Sequence, residues 1–222
     1  MDRVATSSRG DRTREALVDA ATEIFGRDGF RAASTRSIAD SAAVNQALIG
    51  YHFGGKPGLY AAVFDRIIRQ VERYLGPVAD AIEVEIDGLA GDPRQAERCL
   101  GLVHQLTDAF VGTFAAPEST AWARLILREQ QDPSDAFDRL YAGAMQRLLA
   151  LMSRLIALVR GTDPQSAEAR LLCQTIIGQA LVFRSARATV LRQLDWQQIG
   201  AAEIMTIQTV IRRNVTAMLE RG

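Results

Sequence analysis

Residues 35–64, TRSIADSAAVNQALIGYHFGGKPGLYAAVF, contain two short helical patterns separated by a turn. The first pattern begins at Thr35, a residue type that caps helices, and has a small apolar side that includes Ile38. The second is predicted over residues 45–53, before two glycines and Pro57, which suits the first turn of another helix. Two short helices joined by a tight turn are typical of a helix-turn-helix, whose second helix lies in the major groove of DNA.

The same helical pattern continues on both sides of this stretch. Apolar residues recur at helical spacing and alternating β-type runs are missing, so we predict an all-α fold. Residues up to about Arg12 are predicted to form a flexible, partly basic arm, followed by a helix with one apolar stripe from Leu17 to Phe25. Gly29 is expected to end that helix, with Phe30 folding back on the stripe.

Loop signals separate longer helices downstream. The sequence IDGLAGDP at 86–93 is predicted to be a loop, and residues 137–159 a long apolar helix. We therefore predict an arm with a three-helix helix-turn-helix domain at 1–56, a connecting fourth helix at 57–85 and a C-terminal helical bundle at 86–222. The last two helices have broad apolar faces, which in an isolated monomer would be exposed and which indicate an interface.

The start of the second short helix carries side chains suited to reading DNA. Asn45, Gln46 and Ala47 open that helix, where base edges are usually contacted. The amide of Gln46 can pair with adenine, and Ala47 or Leu48 can touch a thymine methyl group. The flank suits phosphates, which position a protein without reading sequence, and it carries Tyr51, His52 and Lys56.

This stretch resembles the signature of TetR-family regulators. The shared features are a threonine in helix two, an I-A-x-x-A-x-V pattern, Y-H-F at the end of the recognition helix, and G-x-K before a Leu-Tyr pair. Order and spacing agree over residues 13–64. The resemblance implies that Thr35 and Arg36 contact DNA from helix two. It further implies base contacts from Gln46, Ala47 and Leu48, and backbone contacts from Tyr51, His52 and Lys56.

Two positions depart from the commonest pattern. Gly50 stands where a tyrosine is frequent and Leu48 where a threonine is common, and both bear on the operator sequence. Gly50 also leaves open an alternative, a helical interaction protein that no longer binds DNA.

Two C-terminal strings, ARLILREQQDPSDAFDRLY at 123–141 and IGQALVFRSARATVLRQLDW at 177–196, resemble the CecR/CerR-type domain of one branch of that family. The resemblance implies a ligand-sensing and dimerisation domain, whose last two helices pair with those of a second subunit. The expected function is a ligand-responsive transcriptional regulator that binds a palindromic double-stranded DNA operator as a homodimer. Repression relieved by a small-molecule effector is the family default, and activation stays open.

Candidate effector-binding side chains combine apolar and basic types. The aromatic and apolar candidates either belong to the core alone or also line a ligand pocket. Arg124 and Arg128 either hold an anionic group or lie on a solvated face, paired with Glu129 or Asp132. Arg184, Arg187 and Arg192 raise the same question, with salt bridges at a dimer interface as the alternative. The candidates are Phe110, Phe114, Trp122, Arg124, Arg128, Met145 and Phe183.

Composition and charge neither support nor exclude DNA binding, and they favour no enzyme, metal-binding or membrane class instead. The 222 residues carry 26 basic and 26 acidic side chains, so DNA contact requires a local basic patch. No nucleophile–base pair, phosphate loop or metal cluster is evident, so we expect no enzyme activity, cofactor or metal. Cys99 and Cys173 are buried small hydrophobes or a thiol sensor. We expect no membrane span and no signal peptide, hence a cytoplasmic protein.

Overall fold

The computed structural model describes residues 9–220, apart from the side chain of Arg9; residues 1–8 of the predicted arm lie outside the described part. Within residues 9–220 all regular structure is helical and no strand occurs, so the all-α prediction is confirmed. The helices are α1 Arg9–Ala32, α2 Thr35–Ser41, α3 Ala47–Phe53, α4 Lys56–Asp87, α5 Gln95–Ala115, α6 Thr120–Gln131, α7 Asp135–Leu140, α8 Gln146–Arg160, α9 Ala167–Ser185, α10 Arg187–Gln193 and α11 Ala201–Glu220.

Helix α1 begins inside the predicted arm and breaks where the sequence indicates. It starts at Arg9, so the expectation of an arm up to Arg12 is wrong for its last residues. Gly29 has φ 80° and ψ 166°, a conformation that residues with a Cβ rarely adopt, and the chain turns there. Phe30 then returns to the apolar stripe, with its ring centroid 6.0 Å from that of Phe25, as predicted.

The cap of α2 and the start of α3 differ from the predicted ones by one and two residues. Ser34, not Thr35, caps α2, because its hydroxyl accepts a hydrogen bond from the amide of Ser37 at 3.0 Å. A capping side chain must stand outside the helix that it caps, which explains this shift. Helix α3 begins at Ala47, not at Asn45, whose side-chain oxygen accepts from the Ala47 amide at 2.8 Å.

The chain divides into two compact units. The first, called the N-terminal unit, comprises the described residues up to Ile68 together with Ala121–Leu140. The second, called the C-terminal unit, comprises Arg69–Thr120 and the described residues from Tyr141 onward. The predicted domain boundaries at residues 56 and 85 stay predictions.

The core of the N-terminal unit forms where α1, α2, α3 and the start of α4 meet. The largest fully buried side chains there include Phe25, Ile38, Ile49 and Phe64. Tyr60 packs edge-on against Phe25, with ring centroids 5.0 Å apart, a favourable aromatic geometry. These contacts hold α3 on an apolar base and leave its opposite face free.

The core of the C-terminal unit lies between α5, α8, α9 and α11. It includes buried leucine and isoleucine side chains such as Leu102, Leu155, Ile176 and Ile211. The predicted long helix at 137–159 is present but contains a π-helical turn over Tyr141–Met145. By length and composition alone Asp135–Arg160 is apolar enough to cross a membrane, which the sequence analysis did not anticipate; a buried core helix passes the same test.

Candidate nucleic-acid interface

Helix α3 presents one buried and one exposed face. Ile49 is buried beneath the helix, whereas Ala47 and Gly50 are exposed on the outer side. Tyr51 is 82% exposed, and the half-buried ring of His52 packs edge-on against it at 5.0 Å. An apolar underside with a polar and small outer face is what a helix needs to enter the major groove.

A side-chain hydrogen bond joins the first turn of α2 to Gln46, the residue that precedes α3. Nε2 of Gln46 donates to Oγ1 of Thr35 at 2.8 Å. Both residues are sequence-predicted DNA contacts, and the structure brings them together. Asn45, predicted in the same group, uses its side-chain oxygen to accept the amide of Ala47 at 2.8 Å.

Arg36 is the basic side chain most open to solvent at the start of α2. It is 84% exposed, and its Nε lies 3.9 Å from the carboxylate of Asp40. Such an exposed pair contributes less than about 1 kcal/mol, so little opposes its exchange for a phosphate.

Lys56, which follows α3 in the sequence, contacts the end of α1. Its Nζ donates to the carbonyl oxygen of Arg31 at 3.2 Å and lies 4.8 Å from the Phe30 ring centroid. The cation–π contact and hydrogen bond fasten the start of α4 to the end of α1. Lys56 therefore has a structural role besides the predicted one.

Gly58 was missed by the sequence analysis. A Cβ at this third residue of α4 would overlap the carbonyl oxygen of Phe53, the last residue of α3. Between them, Gly54 ends α3 in the left-handed conformation with φ 69°. Gly54 and Gly58 thus set how closely α3 and α4 approach. The signal in the sequence was the position of Gly58 directly before the Leu-Tyr pair of the family signature.

The buried carboxylate of Glu129, in the N-terminal unit, has other partners than the arginines considered from the sequence. Glu129 is 4% exposed and accepts from the hydroxyl of Tyr60 at 2.8 Å and from the amide and hydroxyl of Ser134 at 2.9 and 2.8 Å. Burial, aided by this hydrogen bond, raises the pKa of Tyr60. The partners of Glu129 in the structure are therefore Tyr60 and Ser134, not Arg124 or Arg128. Through Tyr60, Glu129 ties α4 to the end of α6.

The predicted effector-binding residues divide between the two units. Trp122, Arg124 and Arg128 lie on α6 in the N-terminal unit, where the tryptophan is buried and both arginines are exposed. Arg128 lines a cleft of about 880 Å³ in that unit. The others belong to the C-terminal unit, where the rings of Phe110 and Phe114 stack at 4.3 Å; Met145 and Phe183 are half-buried.

Arg184 is a buried residue of the C-terminal unit. It is 6% exposed and donates to the carbonyl oxygens of Phe114 and Ala116 at 2.7 and 2.5 Å. It also donates to the hydroxyls of Ser119 and Thr120 at 2.7 and 2.9 Å. This geometry favours a role within the C-terminal unit over an interface salt bridge, because the guanidinium binds groups at the end of α5 and in the turn after it.

Both cysteines are buried, and burial raises the pKa of the Cys99 and Cys173 thiols. A raised pKa suppresses the reactive thiolate. This favours the interpretation of the cysteines as small core residues over a thiol sensor.

Comparison with known proteins places these features in a family. Residues 17–63 match the family "Bacterial regulatory proteins, tetR family", and residues 97–221 match "HTH-type transcriptional dual regulator CecR, C-terminal domain". The HTH-type transcriptional dual regulator CecR of Shigella flexneri is 25% identical over 221 residues, which cover 99% of this chain and 97% of that protein. The HTH-type transcriptional regulator UidR of Escherichia coli K12 is 35% identical over 83 residues, 37% of this chain and 40% of that protein.

Solved structures share the fold. A transcriptional regulator from Pseudomonas aeruginosa PAO1 has a TM-score of 0.63 at 16% identity, covering 99% of this chain and 97% of that chain. A TetR-like regulator from Rhodococcus sp. RHA1 has a TM-score of 0.60 at 18% identity, covering 97% and 99%. The match to the CecR C-terminal domain alone includes more than half of the residues of this chain. The chain therefore belongs to the tetR family of bacterial regulatory proteins, as a helix-turn-helix transcriptional regulator with a CecR-type C-terminal domain.

Proposed function

We propose that the protein represses transcription by binding a palindromic operator as a homodimer and releases it when a small molecule binds. The observation that carries the DNA-binding part is the exposed outer side formed by the start of α2 and by α3. Arg36 and Tyr51 are open to solvent there, Gln46 lies at the start of α3, and the apolar side of α3 is buried beneath them. Phosphate contacts come from the arginine and tyrosine, and base contacts from the start of α3.

Activation of transcription is the alternative to repression. The transcriptional repressor NicS of Pseudomonas putida is 33% identical over 61 residues, 28% of this chain, which supports repression. CecR of Shigella flexneri, which matches 99% of this chain, is named a dual regulator, and this supports activation at some promoters. Transcription from the operator-bearing promoter in a reconstituted assay decides between them.

The effector is proposed to be an apolar or amphipathic organic molecule. The apolar candidates in the C-terminal unit are the stacked rings of Phe110 and Phe114 and the half-buried Met145 and Phe183. Side chains of this kind are typical of sites that bind such molecules. A structure of FadR from Bacillus subtilis in complex with stearoyl-CoA shares the fold with a TM-score of 0.55, covering 90% of this chain and 96% of that one, at 14% identity. The effector-binding roles of Trp122, Arg124 and Arg128, which belong to the N-terminal unit, stay predictions. Chromosomal DNA as the partner implies a cytoplasmic protein.

The direct test is sequence-specific retardation of the upstream region of the protein's own gene. At low salt we expect this duplex to bind more tightly than a scrambled duplex of the same length and composition. Equal affinity for both duplexes would contradict the proposed function. Footprinting of the retarded complex then locates the operator.

Arg36→Gln is expected to weaken binding to all duplexes by a similar factor. Loss of one phosphate contact should reduce the slope of log affinity against log salt concentration by about 1. The measurement is fluorescence anisotropy over a salt series. Arg73→Gln, which removes an exposed arginine of α4 outside the helix-turn-helix, is the matched control and should leave the slope unchanged. A slope equal to that of the wild type would remove Arg36 from the interface.

A homodimer is expected to use the apolar surface of α9 and α11. Exposed apolar side chains there include Leu171, Val182, Met205 and Val210. Because exposed apolar side chains on the same helices indicate an interface, light scattering should give twice the chain mass of 24.3 kDa.

Substitution of Met205, 63% exposed, with glutamate should shift the protein towards monomer. Val84→Glu changes an apolar side chain on α4 that is 76% exposed and should leave the dimer intact. A wild-type monomer at micromolar concentration would contradict the proposed dimer.

A further inference from the structure

The hydrogen bond between Gln46 and Thr35 bears on how the protein selects bases. The donor is the side-chain amide at the start of α3, and the acceptor is the hydroxyl in the first turn of α2, eleven positions earlier. Gln46 is exposed and Thr35 half-buried, so the threonine is the more fixed partner. The contact holds the amide plane of Gln46 in one orientation relative to α3.

This orientation leaves two groups of the amide available. Nε2 carries two hydrogens and gives one of them to Thr35, so the second hydrogen and Oε1 remain free. One donor beside one acceptor matches the N7 and N6 positions of adenine in the major groove. A glutamine that is already oriented loses less side-chain entropy when it binds, which strengthens its preference for the matching base.

The neighbouring polar side chains have other partners. The side-chain oxygen of Asn45 accepts the amide of Ala47, and the Arg36 guanidinium lies near Asp40. One turn beyond Gln46, nothing outside the local α3 backbone lies within 4 Å of where a Gly50 Cβ would sit. Gln46 is exposed, and no side chain stands one helical turn further along to shield it.

We infer that Thr35 is a positioning residue for Gln46, which it orients for adenine, and that this pair sets specificity for one A·T pair in each half-site. This inference rests on the proposed DNA-binding function. It gives Thr35 a role in base selection that a phosphate contact from the same hydroxyl would not give.

The experiment compares the discrimination of two duplexes by the wild type and by Thr35→Val, Thr35→Ser and Gln46→Ala. An operator is first selected from a random duplex pool, and each A·T pair is then replaced in turn. We expect the wild type to lose about 10-fold or more in affinity at one A·T position, and Gln46→Ala to lose most of that difference. Thr35→Val, which keeps the shape without the hydroxyl, should behave as Gln46→Ala does, and Thr35→Ser should behave as the wild type.

The outcomes separate the roles of Thr35. If Thr35→Val weakens binding to both duplexes by the same factor, or has no effect, the positioning role is overturned. In the Gln46→Ala background the valine should cause no further loss of discrimination. If the wild type binds all duplexes equally, the proposed function fails. If the wild type discriminates between them and Thr35→Val discriminates equally well, only the positioning role of Thr35 fails.

A second readout needs no DNA. In the free protein, the two side-chain amide proton resonances of Gln46 should shift in Thr35→Val but not in Thr35→Ser. Unchanged resonances in the valine variant would overturn the inference even if DNA binding changed.

Discussion

Replacement of Gly58 with alanine is expected to abolish specific DNA binding while leaving the C-terminal unit folded. The added Cβ would overlap the carbonyl oxygen of Phe53 at the end of α3. Because that oxygen belongs to the main chain, only a movement of α3 or of the start of α4 can relieve the overlap. Overpacking usually costs about 1–3 kcal/mol, and overlap with a main-chain atom puts the expected cost at the upper end. A displaced α3 no longer presents Gln46 and Tyr51 together.

The matched control is Gly50→Ala, in the middle of α3. Nothing outside the local helix backbone lies within 4 Å of that Cβ position, so the substitution should raise helix stability by up to about 1 kcal/mol. Amide hydrogen exchange across α3 is the measurement for both variants, with anisotropy on the selected operator for Gly58→Ala. If Gly58→Ala kept wild-type operator affinity and wild-type exchange in α3, the close approach of the two helices would not matter for function.

Local signals predicted much of the helix-turn-helix. The stripe from Leu17 to Phe25, the break at Gly29 and the return of Phe30 all depend on residues close in sequence, and the structure has them. The errors at this level are small, because Ser34 and Thr35 are both good capping residues and only the geometry shows which one stands outside the helix.

Residues that act over long sequence separations could not be predicted in the same way. Glu129 accepts from Tyr60 across 69 positions, and Arg184 donates to Phe114 across 70. Each looks in the sequence like an ordinary surface charge on an amphipathic helix, since burial of a charge depends on partners that periodicity does not show. Gly58 is similar, because its neighbour Phe53 belongs to another helix.

Arg184→Leu is expected to destabilise the C-terminal unit by about 3 kcal/mol or more. The guanidinium donates to two main-chain carbonyl oxygens, of Phe114 and Ala116, and to two hydroxyls. Each buried acceptor that loses its donor costs about 1–3 kcal/mol, and the cation also complements the negative C-terminal end of α5. Leucine fills part of the volume but satisfies none of these groups. The turn over Pro117–Ser119 should therefore lose its attachment to α9.

Chemical denaturation of the full chain, with hydrogen exchange in the turn over Pro117–Ser119, measures this loss. Arg184→Lys keeps the charge but reaches fewer acceptors than the planar guanidinium, so it should fall between the wild type and the leucine variant. Arg192→Leu makes the same replacement at an exposed position of α10 and should change stability by less than about 0.5 kcal/mol. If the two leucine variants were equally stable, these four hydrogen bonds of Arg184 would contribute nothing net. In that case the end of α5 would not depend on Arg184 for its place in the unit.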